Sequence, residues 1–546
     1  MHLASWLRTL LIVVGSAGLG ALIVTGSDWR KPTRESALRA IAGATLAAIV
    51  AVAFAAGGVR GQASLISTGG GDTSLEGGAS AAGVPGATPG EAATVEGRTG
   101  ALAGAGGGGT ASGSAEAGST GGTVPLAHGN LPPIKLGYIG LNPQSASGVI
   151  TAFVPNYPKP DDPNVYARTV ESWVNTHGGI NGRRLQLVVK QRDPQSNNPN
   201  QLLDICKQLT EGDKVFAVVG TDSDSDANLC YAQHKTPFVC DCGFEKTDLD
   251  KDKPWLWSPS STDDETVQIT EVESFGQQGF FGKGTKLGVL VRDVPEQWNI
   301  WNKKLKPRIA KYHKYGSEEI DAYPVHDTPS SADLGQYTAD IQQAVTRFKL
   351  EGVNRVFFLY YGDLVALYFM DQAESQDYHP KYGLESGKHP YLTLQANTPQ
   401  AQLHGSIGVG YQMVVDVDRA HGDRYPAVGE VECFNAFRAK GQQPKDRTQA
   451  AYVNQLCDGV FMFREAARGL APMFTALQWT QGASRLGSRF QAAVGLPGAT
   501  NFRPGRYTGI AKYRRLAYFD SCPGDPDANP GGGCYKYTTG NIPMPV

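Results

Sequence analysis

Charge of one sign is missing from this chain. Its 546 residues carry 50 Lys and Arg against 52 Asp and Glu, a formal net charge of −2. A protein that tracks nucleic-acid phosphates needs a large basic excess, so nothing points to a nucleic-acid partner. Cysteine is absent from the first 205 residues. No Cys therefore follows either N-terminal apolar run, and the lipid-attachment cysteine of a bacterial lipoprotein is missing. Aromatic residues are absent from residues 61–130, which also hold only six charged side chains. That stretch cannot bury enough apolar surface to offset its ordering entropy. Catalytic signatures are missing too: the chain has no Gly-x-Ser-x-Gly elbow and no His-Glu-x-x-His pair. Gly282-Lys283-Gly284-Thr285 hints at a phosphate loop, but Gln277 stands where the first Gly belongs and Thr does not directly follow Lys. The run Gly104–Gly109 is no phosphate loop either, since no strand precedes it and no Lys-Ser/Thr closes it. The ten histidines form no metal pattern. The expectation is a protein without catalytic residues, metal or cofactor.

Glycine is what the chain has in excess: 67 of 546 residues, of which 21 lie within residues 61–130. A Gly, Ala, Ser and Thr-rich segment of that length behaves as a flexible coil, with a mean end-to-end distance of roughly 45–50 Å. Residues 61–130 therefore read as a disordered linker. The remainder has ordinary globular composition and enough length for a sizeable core.

Two apolar segments precede the linker. Thr9–Gly26 and Ala40–Val59 are 18 and 20 residues without a charge, each near the roughly 20 residues a helix needs to cross a bilayer. Arg30, Lys31, Arg34 and Arg39 lie between them, which places this short loop in the cytoplasm and both flanks outside it. A second reading stands beside the membrane hairpin. Arg30–Arg39 can serve as the charged start of a signal peptide, with Ala40–Phe54 as its apolar stretch and Ala53-Phe54-Ala55 as the cleavage pattern. Both readings export the remainder to the outer face of the cell membrane, anchored or released.

The eight cysteines all lie after residue 200: Cys206, Cys230, Cys240, Cys242, Cys433, Cys457, Cys522 and Cys534. An even number in an exported domain suggests disulfides. Neighbour pairing is the simplest arrangement, joining Cys206 to Cys230, Cys433 to Cys457 and Cys522 to Cys534. Cys240-Asp241-Cys242 stays open between a strained bridge, free or redox-active thiols, and a metal site with His234 that lacks the usual four-ligand spacing.

From Leu131 onward, apolar runs alternate with amphipathic stretches. Strands are expected at Ile134–Gly140, Leu185–Lys190, Val215–Val219 and Pro237–Cys240, with helices at Val165–His177, Asn200–Glu211 and Asp226–His234. A second series has strands at Lys286–Val291, Val356–Leu359 and Tyr391–Leu394 and helices at Tyr337–Leu350 and Leu364–Gln376. Longer helices at Ala451–Gly469 and Phe474–Val494 follow, and then a Pro/Gly-rich tail from Cys522 expected to be irregular. Strands alternating with helices imply parallel sheets covered on both faces, and the nearly all-apolar strands agree with two-sided burial. The fold class is α/β, with two lobes. Ligands of such sheets sit beyond the carboxyl ends of the strands.

The segment Gly178-Gly179-Ile180-Asn181-Gly182-Arg183-Arg184-Leu185-Gln186-Leu187-Val188-Val189, in this order of elements, closely resembles a recurrent segment of the leucine/isoleucine/valine-binding protein family. These are type I periplasmic (solute-)binding proteins that serve ABC importers. Ile134–Leu141, Asp193-Pro194, Val215–Gly220 and Arg355–Gly362 fit the same pattern. The resemblance implies two Rossmann-like parallel sheets joined by three crossovers and closing over a ligand. Lobe 1 would comprise 131–260 and about 413–505, and lobe 2 would comprise 261–412 and about 506–546. Residues 1–60 precede them as hairpin or signal segment.

Carried onto this chain, the resemblance places Asp222, Ser223 and Asp224 after the third strand, where the family usually holds a ligand carboxylate. It places Gly243 in the loop after the fourth strand. Tyr361 and Trp298 are candidate second-lobe walls, with ordinary packing as the competing reading of each, and Gln395 would stand near the position of the Glu that commonly meets a ligand ammonium. Asp222 and Asp224 have a competing duty as turn or helix-cap residues. The three aspartates of Thr221–Asp226 would repel a carboxylate, so an acidic cleft would favour a cationic or polyhydroxy ligand. The implied function is the capture of a small polar ligand for an ABC permease in the membrane. The alternative is a membrane-tethered sensory or structural ectodomain using the same fold.

Overall fold

The computed structural model describes residues 131–146, 161–312, 320–327, 333–359, 364–418, 421–423, 426–442, 444, 447–524 and 532–545. The two N-terminal apolar segments and the linker lie outside these residues, as does Tyr361. No helix among the described residues is long and apolar enough to cross a membrane.

The first series of elements is β1 (Ile134–Leu141), α1 (Pro163–Thr176), β2 (Leu185–Arg192), α2 (Gln201–Lys207), β3 (Ala217–Gly220), α3 (Ser225–Gln233), β4 (Phe238–Cys240), α4 (Lys246–Asp252) and β5 (Leu256–Trp257). Its five strands form one sheet in the order β2-β1-β3-β4-β5, with every pair parallel. Strand and helix alternate because each apolar strand needs cover on both faces. Gly140 shows how closely the cover sits: a Cβ there would lie 2.5 Å from the Cβ of Pro163 at the start of α1. After α1 the chain turns back through positive φ at Gly178, Gly179, Asn181 and Gly182. Only residues without a Cβ penalty, or Asn, take such angles cheaply.

The second series is α5 (Asp264–Gln277), β6 (Leu287–Arg292), α6 (Pro295–Ile300), α7 (Lys306–Tyr312), β7 (Ile320–Val325), α8 (Leu334–Glu351), β8 (Arg355–Leu359), α9 (Val365–Ser375), β9 (Lys381–Glu385), α10 (Pro390–Gln395), α11 (Gln400–Leu403) and β10 (Ile407–Gly410). These strands run parallel in the order β10-β9-β8-β6-β7. β11 (Lys512–Phe519) and β12 (Cys534–Tyr537) extend the sheet antiparallel, and β13 (Ile542–Pro543) pairs with β11. Between β10 and β11 in sequence lie α12 (Met413–Asp416), α13 (Val431–Arg438), α14 (Arg447–Ala467) and α15 (Ala476–Ala483).

Each sheet has its own core. Val170, Val219, Trp257, Val460 and Trp479 belong to one apolar cluster, so α14 and α15 cover the first sheet. Val289, Phe357, Tyr382, Leu516 and Tyr535 belong to another, around the second sheet. Three chain segments pass between the sheets side by side. Ser258 donates to Tyr507 O at 3.0 Å and accepts from Gly509 N at 2.7 Å, while Leu496 N donates to Tyr411 O at 3.3 Å. Gln412 Nε2 reaches Ser260 O at 3.1 Å, which ties the middle crossover to the first. The architecture is the α/β, two-sheet, three-crossover arrangement of type I periplasmic binding proteins.

Three expectations from sequence need correction. Tyr391–Leu394 is not a strand but part of α10, and the strand of that region is β9 at Lys381–Glu385. Pro390 stands in the first turn of α10, where its missing N–H is no loss. The long helix expected over Phe474–Val494 ends at Ala483, and a positive φ at Gly487 turns the chain away. The tail is not irregular throughout, because Cys534–Tyr537 pairs with β11 along Leu516–Phe519.

Candidate functional site

A cleft of about 600 Å³ lies where the carboxyl ends of both sheets meet. Its first wall comes from the loops that leave β3 and β4. The β3 loop contributes Asp222, Ser223 and Asp224, and the β4 loop contributes Asp241, Cys242, Gly243 and Glu245. Its second wall comes from Arg292 at the end of β6, Gln297 in α6, and Gly387 and His389 beyond β9. Gln412 and Val414 of the middle crossover line it as well, together with Tyr452 and Gln455 from the first turns of α14.

Local sequence dictates these positions. Asp224 has extended backbone and caps α3, its Oδ1 accepting from Ala227 N at 2.7 Å. Capping satisfies an otherwise unpaired donor and turns the loop sharply over the strand end. Burial pushes the Asp224 carboxyl up, partly offset by that backbone N–H. Asp222 is ion-paired with Arg192 from the end of β2. Arg292 makes a fork onto Asp327, with Nε to Oδ1 at 2.8 Å and Nη2 to Oδ2 at 3.0 Å, and donates from Nη1 to Glu245 Oε1 at 3.0 Å.

Two carboxyls in the cleft are unusual. Asp264, at the start of α5, is 3% exposed. It accepts from Lys246 N at 2.9 Å and from Gln297 Nε2 at 2.6 Å. Burial pushes it up to about 7. Asp241, between Cys240 and Cys242, is 7% exposed, and neither of its oxygens has a hydrogen-bond partner among the described residues. Burial pushes it up to about 7 as well. Behind it Asp458 of α14 accepts from Ala493 N at 2.6 Å and Val494 N at 3.0 Å, and its carboxyl is raised by burial and then by Asp241. His389 goes the other way, pushed down to about 4 by burial, so it is neutral at pH 7.

Of the residues singled out from sequence, the structure brings Asp222, Ser223, Asp224 and Gly243 together in the cleft. It does not bring Trp298 or Gln395 there. Trp298 packs against the second core, with Nε1 donating to Asp293 Oδ1 at 2.8 Å, and the adjacent position Gln297 faces the cleft instead. Gln395 ends α10, one turn beyond Leu392, which does line the cleft. The strand of this region, β9, ends at Glu385, nine residues before the end of the strand expected at Tyr391–Leu394. That buried carboxylate accepts from Lys388 Nζ at 2.6 Å and from Tyr411 OH at 2.6 Å.

Arg192, Arg292, Asp264, Gln297 and His389 were missed in the sequence. Arg192 and Arg292 had a readable signal, since each closes an apolar strand at its carboxyl end. The cysteine sulfurs stand at bonding distance in four pairs, Cys206 with Cys230, Cys240 with Cys242, Cys433 with Cys457, and Cys522 with Cys534. The residues suit hydrogen bonding and charge pairing with a small molecule. Among the described residues, the one cluster of metal-ligating atoms is His421, Cys522 and Cys534, outside the cleft.

Residues 167–398 match the family described as periplasmic binding protein. Solved structures share the fold at low identity. A branched-chain amino acid ABC transporter protein from Thermus thermophilus, with bound valine, superposes with TM-score 0.52 at 15% identity, covering 76% of this chain and 98% of its own. A solute-binding protein of an ABC transporter from Rhodopseudomonas palustris, in complex with 3,4-dihydroxybenzoic acid, superposes with TM-score 0.50 at 14% identity, covering 76% and 98%. A fatty acid ABC transporter substrate-binding protein from Thermomonospora curvata gives 0.50 at 15% identity, covering 76% and 93%. No curated protein matches the chain.

Proposed function

We propose that the chain is the extracytoplasmic solute-binding component of an ABC-type importer, capturing a small polar ligand between its two lobes. One observation carries the reading: the cleft is built from the carboxyl ends of parallel strands in both sheets, with the three crossovers at its side. Such a place gathers loop polar groups and the starts of several helices around one small molecule. The proteins of like fold are named for the same role, and their bound molecules are as different as valine and a dihydroxybenzoic acid. The shared frame therefore supports the role and leaves the ligand to this chain's own side chains.

The mechanism is hinge closure. The open form takes ligand on one wall, the second wall shuts on it, and the closed surface is what a permease recognises. No covalent step is involved. The Gly-rich linker would let the binding head move over the membrane, whether Ala40–Val59 stays as an anchor or is cut. Four intact disulfides would fit an exported head. Mass spectrometry of small molecules that co-purify with the chain tests the role. A head that never carries a solute and does not associate with a permease would favour the tethered sensory reading, which the two apolar segments also fit. A mature N-terminus near Ala56 would exclude retention of the second segment.

A further inference from the structure

We infer that the cleft selects a small organic cation, an amine, amidine or quaternary ammonium compound without a carboxylate of its own; this rests on the solute-binding reading above. Among the described residues, seven carboxylates line the cleft against two guanidinium groups and no lysine. Both guanidinium groups are already engaged, Arg192 by Asp222 and Arg292 by Asp327 and Glu245. The charge of each is already balanced within the wall, Arg192 through Nη1 alone and Arg292 through Nε, Nη1 and Nη2. Asp224, Asp241, Asp248 and Asp264 remain, and none of the four has a Lys or Arg partner among the described salt bridges. Asp224 and Asp264 are held by N–H donors, and Asp248 Oδ2 accepts from Asn228 Nδ2 at 2.9 Å.

Asp241 is the second, independent pointer. Its carboxyl is more than nine-tenths buried in the cleft wall, and both oxygens lack a partner among the described residues. Asn228, 2% exposed in the same wall, likewise has an unpartnered Oδ1. Buried acceptors without donors are costly. A ligand that brings several N–H donors and positive charge removes that cost, and a ligand carboxylate adds to it. Glu385 does not compete for the cation, because Lys388 already supplies it with an internal ammonium.

A bare metal ion fits less well. Ligand atoms around an ion lie close together, yet no three acidic groups of the cleft do so among the described residues. The carboxyls are spread over a cavity of about 600 Å³. Leu141, Leu392, Val414 and Tyr452 supply apolar wall between them, which suits the hydrocarbon stem of an organic cation.

The test is calorimetric titration of the purified full chain at pH 8 with putrescine, agmatine and choline, against leucine, 3,4-dihydroxybenzoate and glucose. At least one cation should bind at least tenfold more tightly than every carboxylate-bearing or neutral probe. Asp241→Asn should weaken it at least tenfold, and Asp264→Asn gives a second variant if the first does not fold. Binding of leucine or dihydroxybenzoate with no cation binding overturns the inference while leaving the solute-binding reading standing. A folded protein that binds none of the six probes also overturns the inference. If it carries no co-purified small molecule either, the solute-binding reading falls with it.

Discussion

Arg292 Nη1 donates to Glu245 Oε1 across 3.0 Å, linking a strand end of one sheet to a loop that leaves the other. Arg292 closes β6 of the second sheet, and Glu245 ends the loop that leaves β4 of the first. The same guanidinium forks onto Asp327, so its geometry is fixed from one side before it reaches across. The link is a fastener across the cleft mouth, about a quarter exposed on each side.

Arg292→Ala should therefore loosen the closed arrangement more than it unfolds the protein. A pair with this exposure contributes about 1 kcal/mol or less to stability. The melting temperature should therefore fall by only a few degrees. Small-angle scattering should show a larger radius of gyration for the variant without ligand. An unchanged scattering curve would mean that the crossovers alone hold the two sheets.

Asp264 makes a pH prediction with a definite sign. Its folded-state carboxyl is raised by burial to about 7, against about 3.9 for an unperturbed aspartate. Between those values the folded state holds a proton that the unfolded chain has lost. Stability from this group is thus fully present below about pH 4 and drains away as pH rises through about 7. Asp241, also raised to about 7, and Asp416, raised by burial to about 8, act in the same direction. Asp264→Asn should flatten the fall in unfolding free energy between pH 5 and pH 8, by an amount on the order of a few kcal/mol. A variant with the wild-type slope would refute this assignment.

Cys206 and Cys230 join α2 to α3 on one side of the first sheet, and both are buried. The bridge closes a loop of 24 residues. On the chain-entropy account such a loop contributes about 3–4 kcal/mol. Changing both residues to Ser should lower stability by about that amount in denaturant titrations. Non-reducing peptide maps of the wild type should show the Cys206–Cys230 pair linked; free thiols there would remove the premise.

The parts of this fold that sequence revealed are those governed by local rules. Ile134–Leu141 is an apolar run long enough only for a buried strand, and Gly178–Gly182 is a turn that few other residues could make. Asp222 and Asp224 were legible because they follow an apolar run that ends in Gly220. Tyr391–Leu394 failed because a short apolar run carries no period that separates strand from buried helix. The true strand, Lys381–Glu385, opens with Lys and closes with Glu, so it looked polar. Gln395 was misplaced by the same error. Asp264, Gln297 and Asp458 were invisible for another reason. Their roles depend on contacts such as Gln297 to Asp264 and Asp458 to Val494, which join elements tens of residues apart.

Asp222 offers the sharpest test of how the cleft sets its charge. It holds Arg192, and the two side chains are about 30% exposed. Asp222→Asn should change stability by less than about 1 kcal/mol, as expected for a pair this wet. Its effect on binding should be larger. The substitution removes one negative charge and also frees a guanidinium beside Asp224, whose carboxyl already feels it. Both changes oppose a cationic ligand and favour an anionic one. Affinity for an organic cation should fall at least tenfold, and affinity for a carboxylate probe should rise. Equal effects on both probe classes would mean that Asp222 shapes the loop and does not set the sign of the cleft.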